Sequence, residues 1–372
     1  MSDNLGSADI AELLAAAGHR GSVTLTRLAG GGNNRVYRVQ GEQFDAVLKA
    51  YFHHPDDPRD RLRSEFAFSQ LAWEAGLRCL PRPLACDARR HLGLYEFVPG
   101  RRLEPHEVDS EAVRQASRFV VELNHHKHSN AADALPIAAE ACFSIDAHCH
   151  CVTRRLERLD KLDLASSNTA DADLDLAAGL LVRNVLQPRW AELLDQLRRR
   201  CALLGLGWTQ EIDPADYCLS PSDFGFHNAL ATADGLKFID FEYAGWDDPA
   251  KLACDFFCQP ALPVAPEHLP EFVATTTAAL SDPALHGARI TLLLPAYQMK
   301  WCCILLNEFL PVDGRRRQLA VSSGAPTDAE RRARKQLQLA KVERMLTSLD
   351  TLLDATLHRS PHGLQPSVES VA

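Results

Sequence analysis

Residues 219 to 249 read Leu219-Ser-Pro-Ser-Asp-Phe-Gly-Phe-His-Asn-Ala-Leu-Ala-Thr-Ala-Asp-Gly-Leu-Lys-Phe-Ile-Asp-Phe-Glu-Tyr-Ala-Gly-Trp-Asp-Asp-Pro249. Asn228 follows Asp223 by five positions, and Asp240 follows Asn228 by twelve. Between Asn228 and Asp240 lie a short apolar run, the pair Asp234-Gly235, and a second apolar run, the signal of a β-hairpin. Such a hairpin brings Asn228 at one open end near Asp240 at the other. A carboxylate and a carboxamide so placed suit Mg²⁺, which takes a few hard oxygen ligands and leaves the rest to water or phosphate.

Upstream, the texture of residues 22–50 is strand, turn, strand, turn, strand. Val23 to Leu28 leads into Gly30-Gly31-Gly32-Asn33-Asn34, then Val36-Tyr37-Arg38-Val39, then Ala46-Val47-Leu48-Lys49-Ala50. Asp57-Pro58 has the form of a helix start, an N-cap Asp with Pro in the first turn. That helix is expected to run to Ala75 and stop at Gly76, with Glu65 and Glu74 on it. Gly93 to Val98 reads as a strand broken by Pro99-Gly100. Beyond it the chain is mostly helical: 111–126, 145–159, 173–204 with a break at Gln187-Pro188, 249–258, 267–280, 288–309, and a last helix through Leu339, Val342, Met345, Leu346, Leu349 and Leu353. Residues 312–328 and 358–372 are polar or Pro-rich and are expected to be mobile.

Composition narrows the class. The 372 residues are 46% hydrophobic, enough for a sizeable core, and carry a net charge of −9, which disfavours a general nucleic-acid binder. The 11 cysteines are scattered and odd in number, which suits reduced thiols in a cytosolic protein. No secretory signal and no apolar run of membrane-spanning length is seen, so a soluble, cytoplasmic chain without membrane partners is expected. His148-Cys149-His150-Cys151 invites a zinc reading, but adjacent residues of a helix point to different faces, so no zinc is expected there.

Taken together, Ser220-Pro-Ser-Asp-Phe-Gly-Phe-His-Asn228, Ile239-Asp-Phe-Glu242, the Gly-rich turn, Lys49 on a third strand and Glu65 on the next helix resemble the aminoglycoside phosphotransferase and choline kinase superfamily over residues 22–310. The resemblance implies an α+β, protein-kinase-like two-lobed fold: an antiparallel-sheet lobe over 1–98, a mainly helical lobe over 99–357, and a mobile tail over 358–372. It implies an ATP- and Mg²⁺-dependent small-molecule kinase that phosphorylates a hydroxyl of a sugar, aminoglycoside or amino alcohol.

Under it Asp223 is the catalytic base and Asn228 and Asp240 hold the metal. Lys49, positioned by Glu65, contacts the nucleotide phosphates, and Gly31, Gly32, Asn33 and Asn34 cover them. The backbone of Glu96 and Val98 reads the base, and Asp255 bonds the catalytic-loop backbone. Glu242, Trp301 and Glu308 are the acceptor-site candidates, an acidic and aromatic set that suits an amine or a sugar, with Asp247 and Asp248 beside Asp240.

Each residue also has a plainer reading. Asp223, Asp240 and Asn228 are ordinary turn and cap residues, Glu74 competes with Glu65, and Trp301 serves as well in a core. His227 is expected to be a buried structural histidine. Pro221 and Ser222 stand where the family has His and Gly, which leaves a nucleotide-binding pseudokinase as the alternative.

Overall fold

Alternation along the N-terminal strands decides which side chains reach the cleft. The computed structural model describes residues 10–28, 34–53, 57, 59–162, 171–310 and 327–356. Strands β1 (Val23–Arg27), β2 (Arg35–Gly41), β3 (Phe44–Ala50), β4 (Pro83–Asp87) and β5 (Leu92–Glu96) form an antiparallel sheet in the order β1-β2-β3-β5-β4. Register pairs Tyr37 with Leu48 and Val39 with Ala46. These residues share one buried face, covered by Leu13 and Leu14 of helix α1 (Ala11–Ala16). The period of two then places Val36, Val47 and Lys49 on the opposite face, and all three line the cleft.

Helix α2 (Arg61–Glu74) crosses that second face. It starts later than expected. Asp60, not Asp57, is its N-cap, accepting from the Arg63 N–H at 3.0 Å. Asp57 instead holds Arg59 (2.7 Å) and the buried Arg61 (2.8 Å).

After β5 the chain passes through 97–100 to β6 (Arg101–Arg102) and the helical part. There α3 (Ser110–Asn124), α4 (Asn130–Asp133), α5 (Ile145–Leu159), α6 (Ala172–Leu181) and α7 (Gln187–Leu203) precede β7 (Cys218–Ser220), β8 (Ala229–Thr232), β9 (Gly235–Phe238) and β10 (Gly245–Asp247). The expected hairpin is β8–β9, joined by β6 into a three-stranded sheet, while β7 pairs with β10. Helices α8 (Pro249–Cys258), α9 (Leu269–Thr277), α10 (Pro283–Leu306) and α11 (Asp328–Thr356) follow.

The interruption expected near Gln187-Pro188 is a π turn rather than a chain break. Val182–Leu186 form a π-helical turn that joins α6 to α7, and Pro188 falls in the first turn of α7. A π turn changes the hydrogen-bond register, so the chain passes the proline with Val182, Leu186 and Trp190 all buried.

A set of phenylalanines underlies the β7–β9 region. Ring centroids lie 4.9 Å apart for Phe119 and Phe238, 5.0 Å for Phe224 and Phe256, and 4.9 Å for Phe68 and Phe241. Truncating one such buried ring to Ala costs about 3–5 kcal/mol, so this layer fixes the loops above it firmly.

Candidate active site

The loop from Ser220 to Asn228 alternates anchors and functional groups. Phe224 and Phe226 are buried, while the Asp223 side chain is 36% exposed and that of His227 is 21% exposed. The turn is tight: the Asp223 N–H donates to the Pro221 carbonyl (2.9 Å) and the Asn228 N–H to the Gly225 carbonyl (3.0 Å).

Ser222 has φ 67°, the left-handed conformation that a glycine adopts at no steric cost. The serine is held there from three sides. Its N–H donates to Ser220 Oγ (3.0 Å), its hydroxyl donates to the Ala139 carbonyl (3.2 Å), and Lys251 Nζ donates to that hydroxyl (2.8 Å). Lys251 is itself fixed by Asp247, at the end of β10, at 2.7 Å.

Asp223 receives Asn228 Nδ2 at its carbonyl (3.0 Å) and at Oδ2 (3.4 Å), and His227 Nε2 lies 3.3 Å from Oδ1. Burial pushes the carboxyl up, but His227, Asn228 and the Lys251 charge outweigh it and hold the group below the usual carboxylate range. His227 therefore lies against the carboxylate rather than in the core, and its backbone carbonyl accepts from Arg102.

Across the cleft, Lys49 Nζ donates to Glu65 Oε1 (2.6 Å) and Asp240 Oδ1 (2.8 Å). Burial works against the lysine's charge, yet Asp240 and Glu65 raise its pKa. Glu65 moves up, chiefly through burial, with Lys49 opposing. The other Glu65 oxygen accepts from the Tyr51 hydroxyl (2.7 Å), which meets the Tyr95 hydroxyl at 2.8 Å. Tyr95 has room for its ring because residue 93 is glycine: a Cβ there would lie 2.8 Å from the ring.

Glu74 instead accepts from Gln70 on the exposed face. Asp240 has φ 70°, and with Ser222 and Glu140 three of the five non-glycine residues with positive φ among those described line this cleft or the pocket beside it. Asn34 Nδ2 donates to the buried Glu242 (2.6 Å), with Arg61 3.6 Å away. Gly31, Gly32 and Asn33 lie outside the described residues.

Asn34, Lys49, Glu65, Asp223, Asn228 and Asp240 line one cleft of about 660 Å³. Leu28, Val36 and Val47 line it from the sheet, and Leu230 and Ile239 from the hairpin region. Glu96, Phe97 and Val98 form its edge. The Glu96 N–H is engaged by the Arg82 carbonyl (2.8 Å), whereas the Val98 N–H has no partner among the described residues.

The sequence matches the phosphotransferase enzyme family known as APH over residues 24–289. The chain belongs to this phosphotransferase family. No curated protein matches it. Among solved structures, a spectinomycin phosphotransferase bound to ADP and spectinomycin is similar over 92% of this chain and 99% of that one, with TM-score 0.57 and 13% identity. The Plasmodium vivax ethanolamine kinase covers 88% and 84% (TM-score 0.54, 14% identity). A choline/ethanolamine kinase family protein from Mesorhizobium loti covers 92% and 97% (TM-score 0.51, 18% identity). These likenesses establish the protein-kinase-like phosphotransferase fold. No helix among the described residues is long and apolar enough to cross a membrane.

A second pocket of about 310 Å³ adjoins the first cleft, and Asp223 lines both. Trp301 lines this pocket, as do Lys300 and Asn307. The other two acceptor candidates do not. Glu308 is held by Arg334 of α11 at 3.4 Å, and Glu242 lines the first cleft.

Asp255 also departs from expectation. It accepts from Lys300 (2.9 and 3.0 Å) and Trp301 Nε1 (3.0 Å) rather than from the loop backbone, which Lys251 steadies instead. Asp247 holds Lys251. Asp248 caps α8 and bonds His148 and Arg289, so both aspartates are buried supports. His148 is shared between Asp248 and Tyr297, and no cluster of three or more His, Cys, Asp or Glu suited to a metal occurs among the described residues.

Sequence reading singles out none of Tyr51, Arg59, Arg155 and Lys251 as site residues. Only Lys251 leaves a local signal, its i, i+4 spacing from Asp247 and Asp255.

Proposed function

We propose that this family member is an ATP- and Mg²⁺-dependent small-molecule kinase that transfers the γ-phosphate to a hydroxyl. The observation that carries the reading is the position of Asp223 between two pockets, one lined by Lys49, Glu65 and Asp240 and the other by Trp301 and Lys300. A nucleotide in the first and an acceptor in the second meet at that carboxylate.

Asp223, kept ionised by His227 and Lys251, accepts the hydroxyl proton as transfer proceeds and orients the oxygen. Lys49, fixed by Glu65, offers its ammonium to the phosphates. The apolar walls Val36, Val47, Leu230 and Ile239 take the base, with the Glu96 carbonyl and Val98 N–H at its edge.

The donor set fits Mg²⁺. Asp240 contributes a carboxylate, and Asn228, whose Nδ2 is engaged by Asp223, retains Oδ1 without a partner among the described residues. Asp240 and Asn228 would hold the ion, which would offset phosphate charge. The pseudokinase alternative rests on Pro221 and Ser222. The left-handed Ser222 supports a loop that keeps the shape the missing glycine would give, which favours the active reading.

The test is thermal unfolding with and without Mg·ATP. At about 100 times Kd a ligand of the folded state adds ~2.7 kcal/mol. A rise in the native chain that is lost in Lys49→Met supports the reading; no rise in the native chain overturns it.

A further inference from the structure

The second pocket is not built to receive a cation. Its lining holds the carboxylates Glu140, Asp223 and Asp255 and the cations Arg59, Arg155, Lys251 and Lys300. Each carboxylate already has a positive or imidazole partner. Asp255 accepts from Lys300 and Trp301 and lies 3.5 Å from Lys251. Glu140 is paired with Arg155. Asp223 is engaged by His227 and belongs to the transfer step. An acceptor ammonium would meet carboxylates whose charge is already offset, and would have to share each of them with the partner it already has.

The cations are differently placed. Asp57 and Asp247, which neutralise Arg59 and Lys251, are not among the residues lining the pocket. Lys251 donates to Asp247 and Ser222, with Asp255 3.5 Å away. Arg59 uses Nε and Nη2 on Asp57, and Lys300 pairs with Asp255 and no other carboxylate among the described residues. Arg155 bonds Glu140 through Nη2, while its shielded Nε has no hydrogen-bond partner among the described residues.

The field points the same way: burial pushes the Glu140 carboxyl up, yet Arg155, Lys300 and Lys251 bring it down to about 2. Tyr243 and Trp301 add aromatic walls, with the Trp301 N–H taken by Asp255. At about 310 Å³ the space is at the small end of ligand pockets, room for one ring rather than several.

We propose that the acceptor carries an oxyanion group, a carboxylate or a phosphate, besides the hydroxyl presented to Asp223, and that Arg59, Arg155 and Lys300 receive that group. Guanidinium forks match the paired oxygens of either anion. The proposal rests on the kinase reading of the adjoining cleft, because that reading makes this the acceptor site.

The experiment uses the full chain and four probes on one scaffold: glucose, glucosamine, glucuronate and glucose 6-phosphate. Each is titrated to saturation by thermal unfolding, with and without saturating Mg·ADP. Glucuronate or glucose 6-phosphate is expected to raise Tm above the Mg·ADP value, the responding arm showing which anion fits, while glucosamine and glucose do not. Arg155→Gln weakens that response about tenfold or more, the loss expected for a hydrogen bond to a charged group. Arg59→Gln does the same at a partly exposed position, where Arg61 still pairs with Asp57.

The proposal is overturned if glucosamine stabilises as much as the anions, if neither anion stabilises, or if both variants respond like the native chain. An anion response without any Mg·ADP response would instead remove the kinase reading and leave the anion site standing. A Mg·ADP response without an anion response removes this proposal alone.

Discussion

Replacing Ser222 by glycine and by alanine separates two effects in the loop before Asp223. In the structure Ser222 has φ 67° and is buried, and its hydroxyl accepts from Lys251 and donates to Ala139. Ser222→Ala keeps the left-handed strain and removes both hydroxyl bonds. A bond to a charged group contributes about 1.5–3 kcal/mol, and Lys251 keeps Asp247 as a partner, so a loss of ~2–3 kcal/mol is expected.

Ser222→Gly loses the same bonds but relieves a strain of about 1–2 kcal/mol. The greater freedom of glycine in the unfolded chain returns about 0.4–1 kcal/mol of that. The glycine variant should therefore be more stable than the alanine variant by ~0.5–1 kcal/mol, and both should fall below the native chain. Urea unfolding with a common slope measures this. Equal stability of the two variants would refute the strain argument. Two variants as stable as the native chain would refute the role of the hydroxyl.

Gly245→Ala should unfold the β7–β10 corner, since a Cβ there would lie 2.2 Å from the Pro136 carbonyl, a backbone atom, and overpacking against backbone costs about 1–3 kcal/mol or more; circular dichroism on heating reads it. Asp57 is buried against Arg59 and Arg61, which outweigh burial and hold its carboxyl far below the usual range. A depressed carboxyl stabilises the fold above its unfolded pKa, and that contribution disappears as pH falls through the folded value. Asp57→Asn should thus lower stability at neutral pH and flatten the acid limb of the Tm–pH curve; an unchanged acid limb would count against the pair. Glu308→Gln should leave the acceptor KM unchanged, because Glu308 faces Arg334 and not the pocket; a raised KM would return it to the acceptor site.

What the sequence made legible was what short-range pattern encodes. Period-two alternation placed Lys49 on a strand among apolar neighbours, and the Asp234-Gly235 turn gave the β8–β9 hairpin. The resemblance carried by residues 220–249 gave the fold. What remained hidden depended on pairings across the chain. Tyr51 and Tyr95 meet only because β3 and β5 lie side by side and Gly93 leaves space.

The proximity of Trp301 and Glu308 in sequence suggested an acidic acceptor pocket. Glu308 turned out to be drawn to α11, while Arg59 and Arg155, far apart in the chain, supplied charge of the opposite sign. The N-cap at Asp60 rather than Asp57 has the same origin, since two arginines compete for the first carboxylate. The conformation at Ser222 could not be read from a serine codon for codon, because only the surrounding hydrogen bonds make it affordable.

The proposed role of Asp223 is phosphoryl transfer between the two pockets. It is tested most directly by following the labelled γ-phosphate of Mg·ATP into small hydroxyl compounds, comparing the native chain with Asp223→Asn at equal nucleotide occupancy. Labelled product from the native chain, reduced ~10²–10⁴-fold in the variant with nucleotide binding retained, is the predicted result. Transfer by Asp223→Asn at the native rate would contradict it.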